Sequence, residues 1–203
     1  MKVAYATYPR SGNSLMRKYF ENVTGTATGS DMVLHHQPNI SLQFSGFKGE
    51  GIFDESVWIQ KTHYPLTFPF QPSSRANIAV ICTRYQMDVD ASFLYLIFTL
   101  SHNNTFRECL ADDPIYPYWQ YFQKGCTKTY NMWFSHWLNV AENSDKLVYF
   151  FRFEDVLTEP KRVLTELFTF ILGVESIEGT VMEQRIEEVI AMGNKKNTAY
   201  KPR

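Results

Sequence analysis

Short apolar runs alternate along the chain with longer segments in which apolar residues recur at helical spacing. The runs are rich in β-branched and aromatic residues and predict strands at residues 3–8, 57–61, 77–83 and 146–151. The run at 77–83 is the most continuous and favours a central strand buried on both faces, and the last run is also expected to be buried. Strands that alternate with helices predict an α/β three-layer sandwich, with a mostly parallel sheet of four to five strands.

Segments in which apolar residues recur at helical spacing follow the predicted strands. The first helix has an apolar stripe that begins at Leu15, and another helix is expected between Pro160, which suits a first turn, and Gly173, which suits a C-terminal cap. The spacing predicts further helices at residues 87–100, 129–140 and 181–191.

Two stretches lack a clear period and are expected to be long loops. Residues 24–55 are rich in Gly, Ser, Thr and Asn and are predicted to cover the mouth of a site, with His35 and His36 inside them. Residues 101–127 hold a cluster of aromatic residues, for which a small local core is favoured over stacking on sugar rings. We find no repeat and no linker, so residues 1–203 are predicted to form a single domain.

Composition excludes several classes of protein. With 203 residues, 44% hydrophobic and 20% charged, the chain is expected to be globular. A formal net charge of −1 argues against nucleic acid as a partner. No run of eighteen uncharged apolar residues occurs, which predicts no membrane segment. Because the first predicted strand begins at residue 3, no signal peptide is expected in the chain as written.

The three cysteines have no metal-ligand spacing, and no metal site is predicted. Cys82 lies in an apolar run and is expected in the core. Cys109 and Cys126 flank the least regular stretch, and whether they pair depends on a compartment that the sequence leaves open.

A glycine-containing turn at residues 8–17 joins the first strand to the first helix. The helix start offers unpaired backbone N–H groups and the positive end of the helix dipole, and Arg10, Ser11 and Ser14 add cationic and hydroxyl donors. These features are typical of a seat for phosphate or sulfate. The turn alone is equally consistent with a simple helix cap, and the Gly-Lys-Ser/Thr of a nucleotide-binding P-loop does not occur.

Other polar residues follow the ends of further strands. Lys61 and His63 close the second strand and Arg84 closes the third, with Ser92 eight residues later on the next helix. Because ligands of open parallel sheets bind at the carboxyl ends of the strands, we expect one anion pocket at this edge.

Taken together, these motifs resemble sulfotransferases that use 3′-phosphoadenosine 5′-phosphosulfate (PAPS). Residues 9–14, Pro-Arg-Ser-Gly-Asn-Ser, resemble the phosphosulfate loop, and 61–65, Lys-Thr-His-Tyr-Pro, resemble the segment that holds the catalytic base. Residues 84–92 resemble the segment whose Arg and Ser hold the 3′-phosphate, and 153–156 with 159–162 resemble a Tyr-Glu-Asp-Leu…Asp-Pro segment. The resemblance covers nearly the whole chain and implies a P-loop-like fold.

A closer likeness involves residues 12–17, 46–50 and the tail 194–203. These segments are similar to the sulfotransferase domain of WSC-domain-containing proteins, a carbohydrate-directed branch. The likeness implies an acceptor hydroxyl on a small molecule or glycan. It leaves the compartment open between the cytoplasm, for the chain as written, and the Golgi lumen, for a domain excised from a longer protein; the oligomeric state stays open too.

The resemblance assigns roles to individual residues. His63 would be the base, with a pKa near neutrality, while Arg10 and Lys61 would stabilise the transferring group. PAPS would be the co-substrate, the bisphosphate PAP the product, and no metal would be needed. The positions implied to bind PAPS are Arg10, Ser11, Gly12, Asn13, Ser14, Leu15, Arg84, Ser92, Phe153, Lys195 and Lys196.

Departures from the family pattern keep two alternatives open. Leu15 stands where a tryptophan normally packs on adenine, Phe153 replaces a tyrosine, and Gln86 replaces a proline. A catalytically silent module that binds PAPS, PAP or a glycan is therefore one alternative. A nucleotide kinase of the P-loop type is the other, although the chain lacks its lysine motif.

Overall fold

The computed structural model describes residues 2–31, 40–66, 76–99 and 116–193. The strands are β1 Val3–Thr7, β2 Gly29–Ser30, β3 Ile59–Thr62, β4 Ile78–Thr83 and β5 Leu147–Arg152. The helices are α1 Asn13–Thr24, α2 Ile40–Phe44, α3 Gln86–Thr99, α4 Tyr116–Asn143, α5 Phe153–Thr158, α6 Pro160–Leu172 and α7 Val181–Gly193.

The five strands form one sheet in the order β2-β3-β1-β4-β5, and every neighbouring pair is parallel. Tyr5 in the middle of β1 lies opposite Lys61 on one side and Val80 on the other. The prediction of an α/β fold with a mostly parallel sheet of four to five strands is confirmed.

Helices cover both faces of the sheet. Val3 and Tyr5 of β1 pack into a large core with residues of α1, α6 and α7. Ala4 and Ala6 point to the other face and pack in a second core with Trp133 and Trp137 of α4. Successive residues of a strand face opposite sides, so the two cores define the predicted sandwich.

Some elements differ from the sequence prediction. The helix predicted at 129–140 begins earlier, at Tyr116 of α4, and its first turns carry Tyr118 and Tyr121 with 71% and 82% of their surface exposed. These exposed aromatic residues hide the helical period, which explains the error. Phe122 of α4 lies edge-on to Phe93, with ring centroids 5.8 Å apart, and both residues are half-buried, so the predicted local core is reduced to aromatic contacts beside the exposed tyrosines.

Two further expectations are corrected. The predicted loop 24–55 contains β2 and α2 within its described residues. Strand β5 was expected to be buried, but it pairs on one side only, with β4, and Leu147 is exposed. An edge strand has fewer neighbours to cover its side chains, which the unbroken apolar run does not reveal.

Other details match the sequence. Pro160 begins α6, and Gly173 follows it with a φ of 65° and donates its N–H to the carbonyl of Phe170. Cys82 is fully buried in the core, and Cys126 is a buried free thiol. Cys109 lies outside the described residues.

The chain contains no helix, within the ranges described above, with the length and apolar character needed to cross a membrane.

Asp90 is a buried carboxyl group on α3, and its replacement tests the cost of that burial. Burial raises its pKa from 3.8 to about 6, with the Gln86 side chain acting in the opposite direction. Because the folded protein must ionise this group away from water, Asp90→Asn is expected to raise the free energy of unfolding at neutral pH by about 1–3 kcal/mol. The folded pKa lies above the unfolded one, so the gain should be absent near pH 4 and complete above pH 6.

Urea unfolding at about pH 4 and about pH 7.5, on either side of this titration, measures the effect. Asp88→Asn is the matched control, because Asp88 lies exposed in the first turn of the same helix. An Asp90→Asn gain that is equal at both pH values would contradict the expectation.

Candidate functional site

The turn between β1 and α1 has a distinctive backbone. Arg10 and Gly12 both have positive φ values, 71° and 82°, and the N–H of Ser11 donates to the carbonyl of Tyr8. Gly12 occupies the N-cap position of α1, and no side-chain hydrogen bond caps the helix there. The interpretation of the turn as a simple serine or asparagine cap is therefore wrong, and the helix start retains backbone donors suited to an anion.

Phe153 supports this turn from the first residue of α5. A Cβ atom on Gly12 would lie 2.1 Å from Cδ2 of the Phe153 ring, so only glycine fits there. The Arg84 guanidinium lies over the same ring, with Cζ 4.9 Å from its centroid, and its Nη1 donates to the carbonyl of Arg10 at 2.8 Å. Residues from the ends of β4 and β5 thereby hold the turn in place.

Arg10 reaches α3 from the turn. Its Nε donates to Oγ of Ser92 at 2.9 Å, which joins two residues that are 82 positions apart in the chain. Arg10, Arg84 and Ser92 thus form one polar group at the carboxyl end of β1 and β4. The family resemblance assigns Arg10 and Ser92 to two different phosphates, and they are in direct contact here.

His63 follows β3 and is buried beside the end of β1. Its Nδ1 lies 2.7 Å from the carbonyl oxygen of Thr7. A carbonyl oxygen can only accept, so Nδ1 carries the proton and Nε2 has the lone pair. Asn13 donates from Nδ2 to Oγ1 of Thr7 at 3.0 Å, which ties the start of α1 to the same residue.

The electrostatic surroundings of His63 differ from the expectation. Burial lowers its pKa to about 3, and the positive charges of Lys61 and Arg17 act in the same direction, while the hydrogen bond to Thr7 opposes them. From the sequence, a pKa near neutrality was expected. The difference arises because sequence alone does not reveal how completely the ring is buried beside cations.

Lys61 is a buried lysine on β3, on the strand that leads to His63. Burial lowers its pKa to about 8; Glu50 and Asp31 raise it, and Arg17 lowers it further. The carboxylates of Glu50 and Asp31 favour the charged ammonium form of Lys61, whereas burial disfavours it.

Three residues that support the site were not predicted from the sequence. Thr7 receives the hydrogen bonds of His63 and Asn13, and Arg17 forms a buried ion pair with Glu50. The signal for Arg17 was its position between the apolar residues Met16 and Phe20, where an inward-facing charge requires a buried partner.

The remaining predicted residues take different places. Leu15 is buried in the large core. Ser11 is buried as well, and its Oγ has no hydrogen-bond partner among the residues that the structure describes. Ser14 lies half-buried in the first turn of α1. Lys195 and Lys196 lie outside the described residues, so their assignment stays a prediction.

The site as a whole is cationic. Three basic side chains, Arg10, Lys61 and Arg84, lie at the carboxyl end of parallel strands together with the start of α1. This arrangement is suited to anions with several oxygen atoms, because guanidinium groups match phosphate or sulfate geometry. Among the described residues, no group of three or more His, Cys, Asp or Glu side chains is arranged to hold a metal ion.

Fold and site define an α/β protein with a glycine-containing turn at the start of its first helix, whose backbone donors suit an anion. No protein-family model matches the chain, and no curated protein matches it. Among the solved structures that match is the crystal structure of mouse sulfotransferase SULT7A1 complexed with PAP, with a TM-score of 0.57 and 16% sequence identity. The match covers 96% of this chain and 66% of that one, so the chain spans about two thirds of its length. At this identity the likeness shows a shared fold.

Proposed function

We propose that the protein is a sulfotransferase that moves a sulfuryl group from PAPS to an acceptor hydroxyl. The observation that carries the proposal is the convergence of the anion-binding turn, two arginines and a histidine with a fixed tautomer at one edge of the sheet. The fold shared with a sulfotransferase that was crystallised with PAP supports it.

The residues present fit a nucleotide with two phosphate groups. The turn offers backbone N–H groups and the buried hydroxyl of Ser11, which has no partner among the described residues, to a phosphosulfate, together with Arg10 and Lys61. We assign Arg84 and Ser92 to the 3′-phosphate. The contact between Arg10 and Ser92 supports a site in which the two anionic groups bind side by side.

His63 is assigned as the base. Its Nε2 takes the proton of the acceptor hydroxyl as the acceptor oxygen forms its bond to sulfur and the bond from sulfur to the bridging phosphate oxygen breaks. The electron pair of the broken bond stays on the bridging oxygen, where Lys61 and Arg10 stabilise the charge. The anionic co-substrate would offset the nearby cations and raise the pKa of His63 towards the range in which a base is effective.

We infer that the acceptor is a carbohydrate. Segments 12–17 and 46–50 support this, because they are similar to a carbohydrate-directed branch of the family. In the folded chain the two segments meet: Arg17 of the first pairs with Glu50 of the second, and Phe47 lies against the Arg17 guanidinium, with Cζ 4.4 Å from the ring centroid.

A silent binding module on the same fold is the second candidate. It is favoured by the burial of Leu15 in the core, where it offers no aromatic ring to adenine. Transfer and binding must therefore be measured separately.

Incubation with sulfate-labelled PAPS and a panel of glycans tests the proposal, with PAP binding measured by calorimetry. We expect label on at least one glycan, and we expect Arg10→Ala to weaken PAP binding by about 10- to 100-fold, as loss of a charged contact does. Arg162→Ala is the matched control, because Arg162 is exposed on α6 and pairs with Glu159 and Glu166. PAP binding without label transfer would favour the binding module, and ATP turnover dependent on magnesium would indicate a kinase.

A further inference from the structure

One face of α4 packs against the sheet beside the site. Tyr130, Trp133 and Trp137 follow one another at helical spacing, so their side chains lie on the same side of the helix. Trp133 and Trp137 are buried in the second core with Ala4 and Ala6 of β1, and the half-buried Tyr130 packs against that core. Polar groups on this face can therefore reach the ends of the strands.

Trp137 contacts the turn that carries His63. Its indole Nε1 donates to the carbonyl oxygen of Tyr64 at 3.0 Å, across 73 positions of the chain. Two local hydrogen bonds shape the turn itself: Leu66 N–H donates to the His63 carbonyl at 2.9 Å, and Tyr64 N–H donates to Oγ1 of Thr62 at 3.0 Å. Trp137 joins this turn to a helix that is fixed in the core.

His63 is thereby held at two points. Its ring is tethered through Nδ1 to the Thr7 carbonyl at 2.7 Å, and the residue that follows it is tethered by Trp137. The direction of Nε2 depends on both contacts, because a side chain keeps its orientation only where its backbone is also held. A general base must lie within hydrogen-bond reach of the proton that it takes, so a small displacement of His63 would matter.

Tyr130 makes a similar contact at another part of the site. Its hydroxyl donates to the carbonyl oxygen of Arg84 at 2.9 Å. Its ring lies edge-on to that of Tyr8, with the centroids 5.0 Å apart, and Tyr8 begins the turn that holds Arg10. Arg84 itself donates to the Arg10 carbonyl, so Tyr130 supports the arginines and Trp137 supports the histidine.

Trp133 lies between these two residues on the same face and provides a comparison. Its side chain is fully buried, but its Nε1 has no hydrogen-bond partner among the residues that the structure describes. Trp133→Phe and Trp137→Phe therefore remove the same atoms from one face of one helix. They differ in whether a hydrogen bond to the site is lost with them.

We propose that Trp137 is a positioning residue for His63, acting through the Tyr64 carbonyl, and that Tyr130 has the same role for Arg84. The inference rests on the proposed function for its effect on catalysis. It predicts that two residues of one helix control different steps, Trp137 the transfer of the sulfuryl group and Tyr130 the binding of PAP. A role in packing alone would not separate the two steps.

Trp137→Phe is expected to lower kcat by about 10- to 100-fold, because a displaced base loses much of its contribution. Its affinity for PAP should change by less than about threefold. Tyr130→Phe is expected to weaken PAP binding by about 3- to 10-fold, as the loss of one hydrogen bond does. Transfer of labelled sulfate and calorimetry with PAP measure these effects. Trp133→Phe is the matched control and should keep near-native values of both.

NMR of protein labelled with nitrogen-15 histidine gives a measurement that does not require transfer. The Nδ1 proton of His63, identified by its absence in His63→Asn, should shift and exchange faster with water in Trp137→Phe than in Trp133→Phe. Equal effects of the two tryptophan changes would overturn the inference. A Trp137→Phe variant that fails to fold while Trp133→Phe folds would do the same, because it would assign the hydrogen bond to stability.

Native affinity for PAP in Tyr130→Phe would overturn the role given to Tyr130. If the native protein transfers no sulfate while the His63 signal still responds to Trp137→Phe, the proposed function fails and the positioning of His63 stands.

Discussion

Replacing His63 by alanine is expected to lower the rate constant of sulfuryl transfer by about 10²- to 10⁴-fold, the usual contribution of a positioned general base. The reason is the tautomer: Nδ1 is committed to the Thr7 carbonyl, so Nε2 is the nitrogen able to take a proton. The affinity for PAP should change by less than about threefold, because a residue that acts only in the transfer step does not contribute to the binding of the product. Transfer of labelled sulfate and calorimetry with PAP measure the two effects.

The variant His63→Asn distinguishes a role of His63 as the base from a purely structural role. The asparagine amide can still donate a hydrogen bond to the Thr7 carbonyl, but it has no basic nitrogen in place of Nε2. We expect the same loss as for alanine. His136→Ala is the matched control, because His136 is a half-buried histidine on α4. Its ring centroid lies 5.1 Å from that of Tyr64, the residue that follows His63 in the sequence. Native transfer rates in His63→Asn would exclude His63 as the base.

The low pKa of His63 also predicts how stability depends on pH. Because the folded value of about 3 lies below the ordinary 6.5, the unfolded chain binds more protons between these values. The contribution of His63 to stability is therefore complete above pH 6.5 and declines as the pH falls towards 3. His63→Asn should remove this part of the acid sensitivity, which acid titrations of the free energy of unfolding would record.

Gly12→Ala is expected to weaken PAP binding by about 100-fold or more, because a misplaced binding element loses most of its contribution. Alanine at a φ of 82° is strained, and its Cβ would overlap the Phe153 ring. The Arg84 guanidinium packs over the Phe153 ring, so displacement of the ring would also break the hydrogen bond from Arg84 to the Arg10 carbonyl. PAP calorimetry measures the loss, and thermal unfolding records the accompanying destabilisation.

Gly125→Ala is the matched control for this substitution. Gly125 lies on the exposed side of α4, and a Cβ atom on it would meet nothing within 4 Å, so alanine should stabilise the helix by about 0.5–1 kcal/mol. Native PAP affinity in Gly12→Ala alone would contradict the role assigned to the turn.

The sequence predicted the features that depend on local order along the chain. Strand and helix periods indicated the parallel sheet, and polar residues directly after the strands, such as Arg84 and His63, were placed at the correct edge. This works because the carboxyl ends of parallel strands meet wherever the connections run.

The supporting contacts could not be predicted in the same way. Arg17 and Glu50 are 33 positions apart, and although the apolar neighbours of Arg17 indicate burial, nothing in the sequence shows that Glu50 is its partner. In the sequence, Thr7 is not distinguished from the other residues of its strand, and its role follows from the hydrogen bond between its carbonyl oxygen and His63. Such pairs depend on tertiary distances, and a burial-dependent property such as the pKa of His63 depends on them too.

The backbone of Arg10 has a consequence for how the site is prepared. A left-handed conformation costs a residue with a side chain about 1–2 kcal/mol, and here the hydrogen bonds with Arg84 and Ser92 hold Arg10 in it. Under the proposed function, this stability is given up so that the anion meets a guanidinium that is already ordered. In evolutionary terms, this turn is a place where selection for a more stable protein and selection for tighter binding act in opposite directions.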